Sequence, residues 1–248
     1  MQLQQFFNQN PRIAVAFSGG VDSSYLLYAA DEAGCEVHAY FIKSEFQPHF
    51  ELDEAIRLAK SLDIPLTVET MKVLTNSDIA ENPPERCYIC KAKILETLWK
   101  LARSDGFSVL CDGTNADDDE GDRPGMKSLQ EQGVVSPLRD AKLGKRKIRS
   151  LSKKAGLPTH DKPAYACLAT RIPSGTTITQ ELLDKIERAE GALFEMGFSD
   201  FRVRLMPPDT AKIQVTSKQW KKAAAHRKKI IKALEPDFSG VVLDLTER

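Results

Sequence analysis

From Ile13 to Phe17 the chain is apolar without a break, IAVAF, and from Asp22 onward apolar side chains recur at helical spacing, at Tyr25, Leu26, Leu27 and Ala29. A short β-prone run followed by a 3.6-residue period predicts a strand, a tight turn and a helix. The alternation then repeats. Cys35–Ile42 reads as a second strand, Glu51–Leu62 as a second helix, LTVET at 66–70 as a third strand, Ile89–Ala102 as a third helix and Phe107–Cys111 as a fourth strand, with a basic amphipathic helix over Gly144–Gly156. Strands alternating with helices predict an α/β fold whose parallel sheet is covered on both faces, with ligands at the carboxyl ends of the strands.

Further along, the pattern changes. A helix (Thr179–Met196), two strands (Phe201–Met206 and Ala211–Thr216) joined by a Pro207-Pro208-Asp209 turn, a helix (Ser217–Leu234) and a strand (Gly240–Leu245) predict a smaller α+β domain. The expected boundary lies near residue 175, giving domains 1–175 and 176–248.

The turn after the first strand, Ser18-Gly19-Gly20-Val21-Asp22-Ser23-Ser24, has the composition of an anion site. Glycine lets backbone approach a ligand closely, and the first N–H groups of the next helix have no partner inside it. A Walker loop is excluded, because it requires four residues between its glycines and a Lys before Ser or Thr. The stretch resembles instead the Ser-Gly-Gly-x-Asp-Ser signature of the PP-loop ATP pyrophosphatases. That resemblance implies that Ser18, Gly19, Gly20, Asp22, Ser23 and Ser24 bind ATP, which is split to AMP and pyrophosphate.

Charge adds an exclusion. Thirty-five basic residues balance thirty-five acidic ones, so no whole-chain attraction to nucleic acid is expected. Lys221–Lys229 is a basic helical face, read first as solvated and second as a nucleic-acid or partner surface. No run approaches the roughly 20 apolar residues of a membrane helix, and the amino terminus lacks a signal-peptide pattern. A cytoplasmic protein is expected, in which the five cysteines stay reduced.

Two segments concentrate further chemistry. The loop CDGTNADDDEGDRPG, from Cys111, is placed on the phosphate rim by its strand; Asp117 and Asp118 are candidates for Mg²⁺, while Asp119 and Glu120 read as solvated. Gly113 and Asn115 of that loop join the nucleotide-binding set. Cys87 and Cys90 form a C-x-x-C pair ahead of a helix, and Cys167 stands alone in KPAYACLATR. Three thiolates suit a 4Fe-4S cluster with one open iron, and a zinc site completed by His160 is the alternative. Cys35 and Cys111, set in apolar runs, read as core.

SGGVDSS, NPPERCYICK, DGTNADDDEGDRPG, VVSPL and LPTHDKPAYACLATRIPSG together resemble the LarE family of ATP-dependent sulfur transferases, in the family's order, over residues 10–216. The resemblance implies a PP-loop domain with a carboxy-terminal substrate-binding and oligomerisation domain, a homo-oligomer, and a small-molecule nucleotide as partner. It also implies adenylation of a carboxylate on pyridinium-3,5-biscarboxylate mononucleotide, followed by sulfur insertion, in the biosynthesis of the nickel-pincer nucleotide of lactate racemase. In one version of the family the residue matched by Cys167 gives up its own sulfur. In the other it joins a C-x-x-C pair on a 4Fe-4S cluster, the version that Cys87 and Cys90 favour, with a possible sulfur donor protein. FRVRLM resembles the segment that holds the substrate phosphate, and strand alternation sends Arg202 and Arg204 to one face. Arg171 is expected at a phosphate or pyrophosphate and Glu190 near the substrate. Residues His160 and Ser174 depart from the aromatic residues more usual at those places. The competing readings are a tRNA thiolation enzyme, an ammonia-using synthetase and a non-catalytic carrier of ATP or iron-sulfur.

Overall fold

The computed structural model describes residues 2–118 and 124–247, so Asp119 and Glu120 lie outside the described residues. In chain order the elements are α1 (Leu3–Gln9), β1 (Arg12–Ala16), α2 (Val21–Glu32), β2 (Glu36–Ser44), α3 (His49–Ser61), β3 (Leu66–Met71), α4 (Ser77–Ala80), α5 (Arg86–Ser104), β4 (Leu110–Asp112), α6 (Pro124–Glu131), α7 (Pro137–Asp140), α8 (Lys145–Lys154), α9 (Gln180–Glu195), β5 (Arg202–Met206), β6 (Thr210–Gln214), α10 (Trp220–Leu234) and β7 (Gly240–Leu243). The chain divides into two compact units: 1–72 with 85–162, and 73–84 with 163–248.

In the first unit β1 to β4 form a parallel sheet in the order β3-β2-β1-β4, with Ala14 opposite His38 and Val15 opposite Cys111. The reason β1 and β2 read as nearly unbroken apolar runs is visible in the packing. Ile13, Val15, Val37, Ala39 and Phe41 face one core with Leu26, Leu27 and Ala30 of α2, Leu58 of α3 and Ile148 of α8. The residues between them, Ala14, Tyr40 and Ile42, face the opposite core with Leu95, Leu98 and Ala102 of α5 and Leu129 of α6. Successive side chains of a strand point to opposite faces, so a sheet buried on both sides needs apolar residues at every position. The short amino-terminal helix α1, which the pattern does not announce, adds Phe6 and Phe7 to the first core.

The second unit has its own core. Sheet order is β5-β6-β7, antiparallel between β5 and β6 and parallel between β6 and β7, with Val203, Leu205, Ala211 and Ile213 packed on Leu193 of α9 and Ile230 and Leu234 of α10. The division falls after Lys162 instead of near residue 175, and the reason is a set of long-range hydrogen bonds. Asn82 Nδ2 donates to Pro173 O (2.8 Å), Gly175 N to Asn82 O (2.8 Å) and Ile178 N to Ala80 O (2.7 Å), which tie 73–84 to the stretch after Pro163. Local periodicity carries no record of such pairings.

Candidate functional site

The turn between β1 and α2 stands at the carboxyl edge of the parallel sheet, where α/β folds hold ligands. Gly19 has φ +69°, a left-handed conformation that a side chain strains. Gly20 is the N-cap of α2 and supplies no side-chain cap, so the amides of the first turn are left for a ligand. Serines shape the loop from within: Ser24 Oγ donates to Gly20 O (2.7 Å), Ser18 Oγ meets Ser23 Oγ (3.1 Å), and Ser18 N donates to Ser23 Oγ (3.3 Å). The hydroxyls hold the loop; the backbone N–H groups face outward from α2 with the positive end of its dipole.

Asp22 lies in that first turn. Its Oδ2 pairs with Lys145 Nζ, from the start of α8, while Oδ1 is buried without a hydrogen-bond partner among the described residues. Burial raises the Asp22 pKa; Lys145 pulls against that rise, and the nearby charge of Asp118 adds to it. A partly desolvated carboxylate with one orphaned oxygen fits a site that gains a partner on ligand binding. Lys162, mostly buried, donates to Gly19 O (3.0 Å) and pairs with Glu54 (2.6 Å), fastening the loop from its other side. Neither lysine stands out in the sequence. Lys145 reads there as one of many charges on a basic helix, although its place directly after Gly144 at a helix start is a usable signal.

The loop after β4 packs against this turn. A Cβ on Gly113 would lie 2.7 Å from Ser23 N, so only glycine lets the two backbones approach as they do. Asn115 is buried, and its backbone N (3.0 Å) and Nδ2 (2.8 Å) both donate to Asp118 Oδ2. Asp117 takes a different role from Asp118. Its Oδ2 accepts from Lys145 N (2.6 Å), which makes it the cap of α8 and gives its expected Mg²⁺ contact a structural competitor.

In the second unit, Cys167 opens a 3₁₀ turn over Leu168–Arg171. The segment leading into it is clamped by arginines. Arg171, with a fully buried side chain, forms a fork with Glu190 (Nε to Oε1 2.9 Å, Nη2 to Oε2 3.1 Å) and sends Nη1 to Ala166 O (2.9 Å) and Thr170 Oγ1 (2.9 Å). Arg202 donates to Ala164 O (2.6 Å) and Arg204 to Thr170 O (2.7 Å). Arg171 and Arg202 both lie on the Tyr165 ring, 4.6 and 5.0 Å from its centroid, and Tyr165 Oη donates to Glu190. Glu190 also accepts from Val203 N (2.9 Å). Arg171 and Glu190 therefore serve as the scaffold of the Cys167 segment, because their polar atoms are spent inside it. Arg202 and Arg204 do share a face, as alternation requires, and are under-compensated: among the described residues, Glu190 is the one carboxylate bonded into this group of three guanidinium ions. Burial first, and then the charge of Arg171, lower the Arg202 pKa to about 10 and also depress that of Arg204.

The cysteines sort by exposure. Cys35 and Cys111 are buried in the first core, and burial raises both thiols. Cys87 is exposed and Cys90 half-buried, three residues apart at the start of α5, hence on one side of the helix; Cys167 is half-buried in the second unit. Among the described residues no group of three or more His, Cys, Asp or Glu side chains is assembled to hold a metal ion. No described helix is long and apolar enough to cross a membrane.

Residues 12–83, which contain the glycine turn, match the family described as queuosine biosynthesis protein QueC. The chain is 34% identical over 206 residues to the pyridinium-3,5-bisthiocarboxylic acid mononucleotide synthase of Lactiplantibacillus plantarum, covering 82% of this chain and 74% of that one. It is 37% identical over 203 residues to an uncharacterized protein of Synechocystis sp., covering 82% and 76%. A more distant match is the tRNA-specific 2-thiouridylase of Pseudothermotoga lettingae, 26% identical over 203 residues and covering 66% and 57%.

Proposed function

This chain belongs to the LarE family of pyridinium-3,5-bisthiocarboxylic acid mononucleotide synthases, and from that membership we propose that it activates a carboxylate of pyridinium-3,5-biscarboxylate mononucleotide with ATP and replaces the activated oxygen by sulfur. The observation that carries the reading is the uncapped first turn of α2 beside the Asp22–Lys145 pair, on the carboxyl edge of a parallel sheet. Ser18–Ser24 hold the β- and γ-phosphates on backbone N–H groups. Lys145 and Lys162 supply positive charge beside them, and Gly113 and Asn115 line the nucleotide. Asp118, whose charge acts on Asp22, would hold the Mg²⁺ that accompanies ATP, which would neutralise phosphate charge there, while Asp117 is engaged by the start of α8.

In the activation step a carboxylate oxygen attacks the α-phosphorus and the bond to pyrophosphate breaks. The acyl carbon then carries AMP, a good leaving group, and a sulfur nucleophile displaces it. In the second unit, the under-compensated Arg202 and Arg204 hold the substrate phosphate, with Glu190 keeping Arg171 and the Cys167 segment in place.

The accessible, soft donors Cys87, Cys90 and Cys167 fit a 4Fe-4S cluster by their chemistry, while buried Cys35 and Cys111 do not. Held by these three thiolates, such a cluster would supply a site for an external sulfur ligand. The alternative is that Cys167 gives up its own sulfur. Homo-oligomerisation, a sulfur-donating partner and service to a nickel-pincer cofactor complete the proposal.

The test is ATP-dependent pyrophosphate release from anaerobically purified protein. Release stimulated by the biscarboxylated nucleotide and not by unmodified tRNA is expected; the reverse preference overturns the reading in favour of tRNA thiolation. Iron and labile sulfide that vanish in Cys87→Ala support the cluster, whereas an iron-free wild type that still thiolates, losing sulfur from Cys167, establishes the sacrificial route.

A further inference from the structure

A guanidinium ion taken out of water needs acceptors for its N–H groups, and Arg86 is short of them. It is the first residue of α5 and is 6% exposed. Its Nη1 is buried with no hydrogen-bond partner among the described residues. Nη2 donates only to Cys87 Sγ, at 3.2 Å, a weak acceptor, and the cation stands over the Phe46 ring at 5.7 Å. No described carboxylate pairs with it. A buried charge left in this state is destabilising unless something else supplies the missing anion.

The surroundings favour an anion independently. The bond to Cys87 folds the guanidinium over the first turn of a 19-residue helix whose N-cap, Glu85, makes no side-chain capping bond. The positive end of that helix and the unpaired Nη1 thus share one place. Phe46 follows the end of β2, so this place lies on the same carboxyl edge of the sheet as the glycine turn after β1.

We propose that Arg86 and the first turn of α5 bind a carboxylate of the acceptor substrate. The identity of that acceptor rests on the function proposed above. A planar fork with one nitrogen unpaired and the other held only by a thiol matches the two oxygens of a carboxylate better than a lysine would, and Cys87 is displaced at little cost. The site orients the aromatic acid beside the loop that holds ATP, and it selects acceptors that carry a second acidic group.

Crystals of the full chain soaked in bromide test the site without any turnover. An anomalous peak in hydrogen-bond contact with Arg86 Nη1, absent in Arg86→Gln and displaced by pyridine-3,5-dicarboxylate, is expected; no peak, or a peak the dicarboxylate leaves in place, overturns the proposal. In the pyrophosphate assay, Arg86→Gln raises KM for the biscarboxylated nucleotide by about tenfold or more and leaves KM for ATP within about twofold, with partial recovery in Arg86→Lys. An unchanged nucleotide KM overturns it. Arg86→Met separates binding from scaffolding: it melts at or above the wild-type temperature if the arginine waits for a ligand, and clearly below it if the arginine is structural, which also overturns the proposal. If wild-type protein releases no pyrophosphate with this nucleotide, the proposed function fails, and the bromide and dicarboxylate soaks still decide the anion site.

Discussion

The Ser18–Ser24 loop of the first unit and the Ala164–Arg171 segment of the second are both irregular backbone rich in residues that bind phosphate, yet they use their polar groups in opposite ways. In the loop, serine hydroxyls bond inward to Gly20 O and to one another, and the amides at the start of α2 have no side-chain cap. In the segment, Arg171 is fully engaged by Glu190, Ala166 O and Thr170 Oγ1. Residue type alone does not separate a ligand site from a brace. What separates them is whether the donors are already satisfied, since a satisfied donor offers a ligand no net gain.

Glu190 gives the sharpest way to break that contrast. Glu190→Ala leaves Arg171 buried and unpaired, strips acceptors from Tyr165 and Val203, and is expected to cost about 3–5 kcal/mol of stability in denaturant unfolding. Loss of activity with full stability would instead place Glu190 in substrate binding.

Asp22 tests the loop, with the opposite signature. Asp22→Asn is expected to lower ATP-dependent pyrophosphate release by on the order of 10²–10³ while raising the melting temperature at pH 7. The sign follows from its raised pKa: as pH rises past the ordinary carboxylate value near ~3.9 the unfolded chain ionises first, so this group's contribution to stability falls through its folded pKa. The gain from Asp22→Asn therefore disappears in melts below about pH 3.5.

The smallest effect is expected from Gly113→Ala. Its methyl would meet Ser23 N and Cα, pushing the two loops apart, with a stability loss of about 1–3 kcal/mol and a raised KM for ATP. An unchanged KM would show that the glycine turn does not depend on the loop after β4.

Much of this was legible in the chain. The four parallel strands, the glycine turn between β1 and α2, the antiparallel pair joined through Pro207-Pro208-Asp209 and the division of the cysteines into buried and accessible sets all follow from local pattern and composition. Helix α10 begins as a 3₁₀ turn over Ser217–Gln219, inside the longer helix the spacing suggests, because end geometry depends on capping and not on periodicity. Arg171 and Glu190 were legible as important, but not in kind: both a phosphate contact and a buried fork call for the same residue types.

By itself the sequence determined which segments become strands and helices, that both faces of the first sheet are covered, and that an ATP-type loop stands at its edge. These are consequences of side-chain period and of backbone freedom at glycine, properties of neighbours in the chain. Tertiary structure alone decided that Lys145 reaches Asp22 across 123 positions of sequence, that 73–84 joins the second unit, and that Arg86 Nη1 has no acceptor among the described residues while Arg171 has a full set. The physical reason is that hydrogen bonds and charges are satisfied by whatever the fold brings within about 3 Å, and sequence separation places no limit on which group that is.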